Sequence, residues 1–194
     1  NDEPNEKKPS SIIEIAKRNK LKSVFLVEDS MNGFLEAFQN CEQNKIKLVF
    51  GLRVTVCEDY NTKDKDSVNK ESKYVILAKN EEGYKRLIKI SSDAACDGFY
   101  YQPRTDLNRI KSFWSDKDLQ LCVPFYDSFL SNNTLTFSLC FPDFSFTKPV
   151  FFVEDNDIPF DYLIKKKVAN YCKDNKFDTL DVKSVYYEKK EDFK

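Results

Sequence analysis

The sequence predicts an α/β fold with a mostly parallel sheet or barrel. Three observations carry this reading. Short continuous apolar runs, such as residues 23–27 (SVFLV) and 74–78 (YVILA), look like buried strands. Segments with apolar residues at helical spacing lie between such runs. Strand and helix alternate repeatedly along a chain of 194 residues, a length that suits a single domain over 1–194.

The elements follow in order. Residues 1–10 are polar, carry two prolines and read as a mobile lead-in. Ser11 and Glu14 form an S-x-x-E capping box before Ile12, Ile15 and Ala16, which starts a helix ending near Asn19. Residues 23–27 are expected to be a buried parallel strand. Residues 33–44 return to helical spacing, with Phe34, Leu35, Phe38 and Cys41 on one side. Residues 48–57 (LVFGLRVTVC) are rich in β-branched side chains and read as a strand. Residues 58–72 lack apolar periodicity and read as an exposed loop or hairpin of mixed charge.

After the strand at 74–78, Asn80 can cap a helix running through Ala95, with Tyr84, Leu87, Ile88 and Ile90 as its apolar side. Gly98 ends that unit. Residues 107–113 precede a strand at 119–124, and residues 125–150 read as strands or irregular chain packed by aromatic rings. A short strand at 151–153 leads to an amphipathic helix over 160–174 with Pro159 just before it. Residues 179–182 give the last strand, and 186–193 form the exit.

Composition excludes several functions. Lys and Arg total 31 against 32 Asp and Glu, so broad electrostatic capture of DNA or of a membrane is not expected. No apolar run is long enough to span a bilayer and no secretory leader is visible, which predicts a cytoplasmic protein. The chain has no His, which removes imidazole bases, Ser-His or Cys-His nucleophile pairs and His-bound metals. Its 6 Cys form no C-x-x-C, so reduced buried thiols are expected rather than a zinc site or disulfides. With 4 Gly, no phosphate-binding glycine loop exists. Lys far outnumbers Arg and Asn is frequent, as in AT-rich bacterial or phage genomes.

Carboxylates at strand ends are the remaining candidates for chemistry. Glu28 and Asp29 follow one strand; Glu154, Asp155 and Asp157 follow another. In parallel α/β folds, sites gather at such ends, and carboxylates there can hold Mg²⁺ or Mn²⁺. Taken alone, they read more simply as acids capping a loop or favouring a helix N-terminus. The Phe99-Tyr100-Tyr101 cluster reads as a core or loop anchor, and Lys165–Lys167 as a solvated face.

One block is more specific. Ala78-Lys79-Asn80-Glu81-Glu82-Gly83-Tyr84, then Leu87, then Gly98-Phe99-Tyr100-Tyr101-Gln102-Pro103-Arg104-Thr105-Asp106, closely resembles a stretch of the PHP (polymerase and histidinol phosphatase) domain of bacterial DNA polymerase III α subunits. The stretch from Gly33 to Val56, with Ile46-Lys47 and Gly51, resembles a helix and strand of the same domain, and Tyr186 to Asp192 resembles its closing segment. The resemblance implies a distorted (β/α)7-type barrel.

Active members of that family hold two or three metal ions by His, Asp and Glu at strand ends and hydrolyse phosphoesters. At the matching positions this chain has Glu28, Asp29, Arg53, Lys73, Ser184 and Tyr186. The opening His-x-His strand has no counterpart here. Cys122 lies near the family's ligand Cys, with Phe125 in better register. Arg53 and Lys73 put cations where metal ions would sit, and two unit charges about 4 Å apart repel by about 4 kcal/mol at an effective dielectric near 20. The resemblance therefore implies no catalytic residue and no metal. It implies a domain working in replication as a structural and docking module, with a polymerase core, other replication proteins or a proofreading exonuclease as partner and DNA engaged only indirectly. An ion pair from Arg53 or Lys73 to Glu28 or Asp29 is expected in the vacated site. The alternative is a phosphoesterase or nuclease using Mg²⁺ or Mn²⁺ held by Glu28, Asp29, Asp155 and Asp157 alone.

Overall fold

The computed structural model describes residues 11–184, so the expected lead-in, residue Tyr186 and the exit segment lie outside the described residues. Helix α1 (Ile12–Arg18) opens on the expected capping box: Ser11 Oγ accepts from the Glu14 amide and the Glu14 carboxylate accepts from the Ser11 amide. Then come β1 (Ser23–Glu28), α2 (Phe34–Gln43), β2 (Lys47–Val56), α3 (Lys65–Asn69), β3 (Ser72–Ala78), α4 (Glu81–Cys96) and α5 (Leu107–Phe113). The chain continues through β4 (Leu119–Val123), α6 (Phe129–Leu135), β5 (Val150–Val153), α7 (Asp161–Asn175) and β6 (Asp178–Asp181).

The six strands form one sheet in sequence order, curled into a half-barrel. The pairings β1–β2, β4–β5 and β5–β6 are parallel. Strand β3 runs antiparallel to both β2 and β4. Connection lengths explain this reversal. Residues 57–71 contain one helix of 5 residues, too short to carry the chain back along a 10-residue strand, so β3 starts at the end where β2 stops. Helices α4 and α5 then form an out-and-back excursion that returns β4 to the end where β3 stops, with Ala78 opposite Leu119.

One sheet face carries the main core. Leu52, Val54, Tyr74, Ile76, Leu121, Val123 and Phe151 pack against Leu87 and Ile90 of α4, Ile110 of α5, Phe129 of α6 and Ile164 and Val168 of α7. Each such side chain contributes about 1.5–3 kcal/mol of burial free energy. Rings of Phe129, Phe144, Phe151, Tyr171 and Phe177 interlock in edge-to-face, tilted and stacked pairs at centroid separations of 5.3–6.3 Å. A smaller core joins α1 and α2 to β1 and β2 through Ala16, Val24, Cys41 and Ile46. All six cysteines are free thiols.

Four expectations need correction. Residues 125–150, expected as strands or irregular chain, hold helix α6, capped by Ser128, and no strand before Val150. Strand β1 is parallel but not buried: it is an edge strand, helices cover only its Val24 face, and Phe25 and Val27 stay exposed. On α2, Phe34 and Cys41 are buried while Leu35 and Phe38 are not. Residues 58–72 are more than a loop. They contain α3, capped by Asp64, and they end in the buried Ser72 of β3. Arg104 holds this segment: it has no exposed surface and donates to Thr62 O (2.5 Å), Ser67 Oγ (3.0 Å) and Gly98 O (3.3 Å), with Glu71 Oε1 at 3.5 Å. Its guanidinium also lies 4.8 Å from the centre of the Tyr100 ring.

Candidate functional site

The positions flagged at strand ends come together where β1 and β2 finish and β3 begins. Side chains alternate along a strand, so Arg53 and Thr55 of β2 share one face. Thr55 is the register partner of Lys73, which puts Lys73 on that face as well. Asp29 follows Glu28, whose partner is Leu52, so Asp29 stands beside Arg53. Glu28 is thereby turned to the other face and does not join Asp29.

Asp29 and Arg53 meet fork to fork. Nε donates to Oδ1 at 2.7 Å and Nη2 to Oδ2 at 2.8 Å. These hydrogen bonds hold the Asp29 carboxyl below its ordinary range, against a smaller upward push from burial. Lys73 adds a further, weaker pull through its charge. The Lys73 ammonium donates to Thr55 Oγ1 at 2.6 Å. Cys122 lies in the same sheet row as Arg53, through Val75. It is buried, and burial pushes its thiol up to about 12.

Ser184 belongs to a second polar group, past the ends of β5 and β6. Its hydroxyl donates to Glu154 Oε1 at 2.9 Å, and Asn156 Nδ2 donates to Glu154 Oε2 at 3.1 Å. Beside them, Tyr126 donates to Asp161, the first residue of α7, at 2.9 and 3.0 Å. Glu154 and Asp161 are buried, yet every carboxylate oxygen named here has a donor. Thr55, Tyr126, Asn156 and Asp161 were not among the sequence candidates. Only Thr55 had a signal, two residues beyond Arg53 on the same strand face. Asp155 pairs with Lys165 Nζ at 2.5 Å and follows β5, which β3 and β4 separate from β2 in the sheet order.

A divalent cluster needs several anionic or imidazole ligands around one point. Here the described matching positions offer a guanidinium, an ammonium, a hydroxyl and two carboxylates; Asp29 has both oxygens taken by Arg53, and Glu28 is turned to the other sheet face. Among the described residues, no three Cys, Asp or Glu side chains converge in a ligand group. These residues do not fit a metal cluster.

The family model described as "PHP domain" matches residues 5–125, more than half of the chain. The chain belongs to the PHP domain family. Curated relatives carry the name DNA polymerase III subunit alpha. The protein of Borreliella burgdorferi is 31% identical over 109 residues, covering 55% of this chain and 10% of the relative. That of Chlamydia trachomatis is 36% identical over 76 residues, 38% of this chain and 6% of the relative. That of Helicobacter pylori 26695 is 32% identical over 101 residues, 50% and 8% respectively. This PHP chain thus spans about a tenth or less of the length of these relatives. Among the described residues, no helix is long and apolar enough to cross a membrane.

Proposed function

We infer that this chain is a metal-free, non-hydrolytic PHP domain that serves DNA replication in the cytoplasm as a structural and protein-docking module. Its partner is a polymerase core, another replication protein or a proofreading exonuclease, and DNA is met only through that partner. The observation that carries the reading is the Arg53–Asp29 pair. A guanidinium takes both oxygens of a strand-end carboxylate in a family whose active members use such carboxylates for metal. Lys73 adds a second cation on the same sheet face. Similarity to DNA polymerase III subunit alpha supports the replication context.

The competing reading, a phosphoesterase or nuclease using Mg²⁺ or Mn²⁺ on Glu28, Asp29, Asp155 and Asp157, requires two carboxylates that now hold Arg53 and Lys165. Metal analysis of the purified chain, with hydrolysis of p-nitrophenyl phosphate and single-stranded DNA in Mn²⁺, separates the two. The expected result is negligible bound metal and no turnover. Two or more tightly held ions per chain, or turnover abolished by Asp29→Ala, would favour the enzyme.

A further inference from the structure

Residues 135–141 (LTFSLCF) alternate like a strand, but the alternation is inverted. Phe137, Leu139 and Phe141 point to solvent, exposed by 80%, 68% and 79%. The intervening polar groups are tied to neighbouring chain: Thr136 Oγ1, itself exposed, donates to Asn132 O, Ser138 Oγ donates to Asn69 O, and the Cys140 backbone exchanges hydrogen bonds with the Asn133 side-chain amide. The fold therefore holds an apolar ridge outward. Residues 128–142 carry no charged side chain, in a chain that is 32% charged. Ridges of this kind mark interaction surfaces.

A complementary groove lies on the same molecule. A cavity of about 680 Å³ opens between α2, the first residues of β2 and the start of α4. Phe25, Leu35, Phe38, Phe50 and Tyr84 line it, and Phe25, Leu35 and Phe38 are exposed. Lys47, Lys79 and Glu81 also line it. Asp143 lies two residues past Phe141, and its hydrogen bonds from Ser145 lower its carboxyl below the ordinary range. Its negative charge complements the net positive charge of the groove lining, Lys47 and Lys79 against Glu81.

We propose that the ridge of one copy inserts into the groove beside α2 of a second copy, giving head-to-tail self-association. Ridge and groove occupy different parts of the chain; in this heterologous contact one copy uses its ridge and the other its groove, so each pair keeps one free ridge and one free groove. Assembly then grows with concentration instead of stopping at a closed pair.

Light scattering after gel filtration tests this with three proteins: the wild type, a ridge variant (Phe137→Ser with Phe141→Ser) and a groove variant (Phe38→Glu, with Leu35→Glu as its independent duplicate). The wild type is expected to rise above 22.8 kDa with concentration. Each variant alone is expected to stay at that mass. The equimolar mixture of ridge and groove variants is expected to reach twice that mass and go no further, since one intact ridge meets one intact groove. A wild type that stays monomeric at about 0.5 mM, where a contact of Kd about 0.1 mM would be mostly formed, overturns the proposal. So does a mixture that stays monomeric, a variant that assembles like the wild type, or a ridge that captures a replication protein while the chain stays monomeric. Neither variant touches Asp29, Arg53 or Lys73, so the metal measurement stands apart from this outcome.

Discussion

Arg53 and Asp29 form a two-bond fork at 2.7 and 2.8 Å across the ends of neighbouring parallel strands. Both side chains retain solvent contact, so the pair works in screened surroundings and contributes less than about 1 kcal/mol. Asp29→Asn is expected to cost no more than that in urea unfolding at pH 7. The sign with pH follows from the lowered carboxyl. Its stabilisation is present above the unfolded value of about 3.9 and is lost as pH falls through the folded value. The gap between wild type and variant should therefore close below about pH 4; a gap of constant size would contradict the assignment.

Arg104 gives a larger effect because it is wholly buried. Arg104→Met leaves Glu71 Oε1 and the Thr62 carbonyl without the Arg104 donor, while Gln102 Nε2 still serves Glu71 Oε2, and removing one partner of a buried pair costs about 3–5 kcal/mol. The urea midpoint reports this. Arg104→Lys keeps the charge but not the planar fork, so it should restore only part of the loss. Both variants should make residues 63–70 the first tryptic cleavage region, since Arg104 ties that segment to Gly98.

Gly83 sets two effects against each other. It sits in the first turn of α4, where Ala is a better helix former by up to about 1 kcal/mol. A Cβ there would lie 2.2 Å from the Asp118 carbonyl oxygen, which is backbone and cannot swing aside. Gly83→Ala should therefore destabilise, by about 1–3 kcal/mol, and lower Tm. An unchanged or raised Tm would show that α4 shifts freely against β4.

Thiol chemistry should divide the cysteines. Burial pushes Cys57 and Cys172 to about 11 and Cys122 to about 12, so they stay protonated at pH 8. Cys96, at the end of α4, is exposed. Ellman's reagent should show one fast thiol, lost in Cys96→Ser, with the buried ones released only in guanidinium.

Local signals were legible in the sequence. The Ser11–Glu14 box, the Asn80 cap and the apolar runs of β2 and β3 appear where expected, because each depends on neighbours within a few residues. Exposure of Phe25, Leu35 and Phe38 was not legible: an apolar run has the same appearance at an edge as in the middle of a sheet. Strand β3's direction was also hidden, because it depends on how far α3, α4 and α5 carry the chain. At the candidate site, the positions of Asp29, Arg53 and Lys73 followed from the family resemblance, and register alone separated Glu28 from Asp29. The group of Tyr126, Glu154, Asn156 and Asp161 joins residues up to 35 positions apart without a spacing pattern to reveal it.

The backward course of β3 decides which connections are safe to engineer. Residues 57–71 open onto the Arg53 end of the sheet, so an epitope grafted there would crowd that mouth. The turn at Lys79-Asn80 lies at the opposite rim, against Asp118 and beside the apolar groove. A reporter placed near the first would sense events at the strand tips, and one near the second would sense occupancy of the groove. Two labels separated by a single seven-residue strand would thus watch the two ends of the molecule independently.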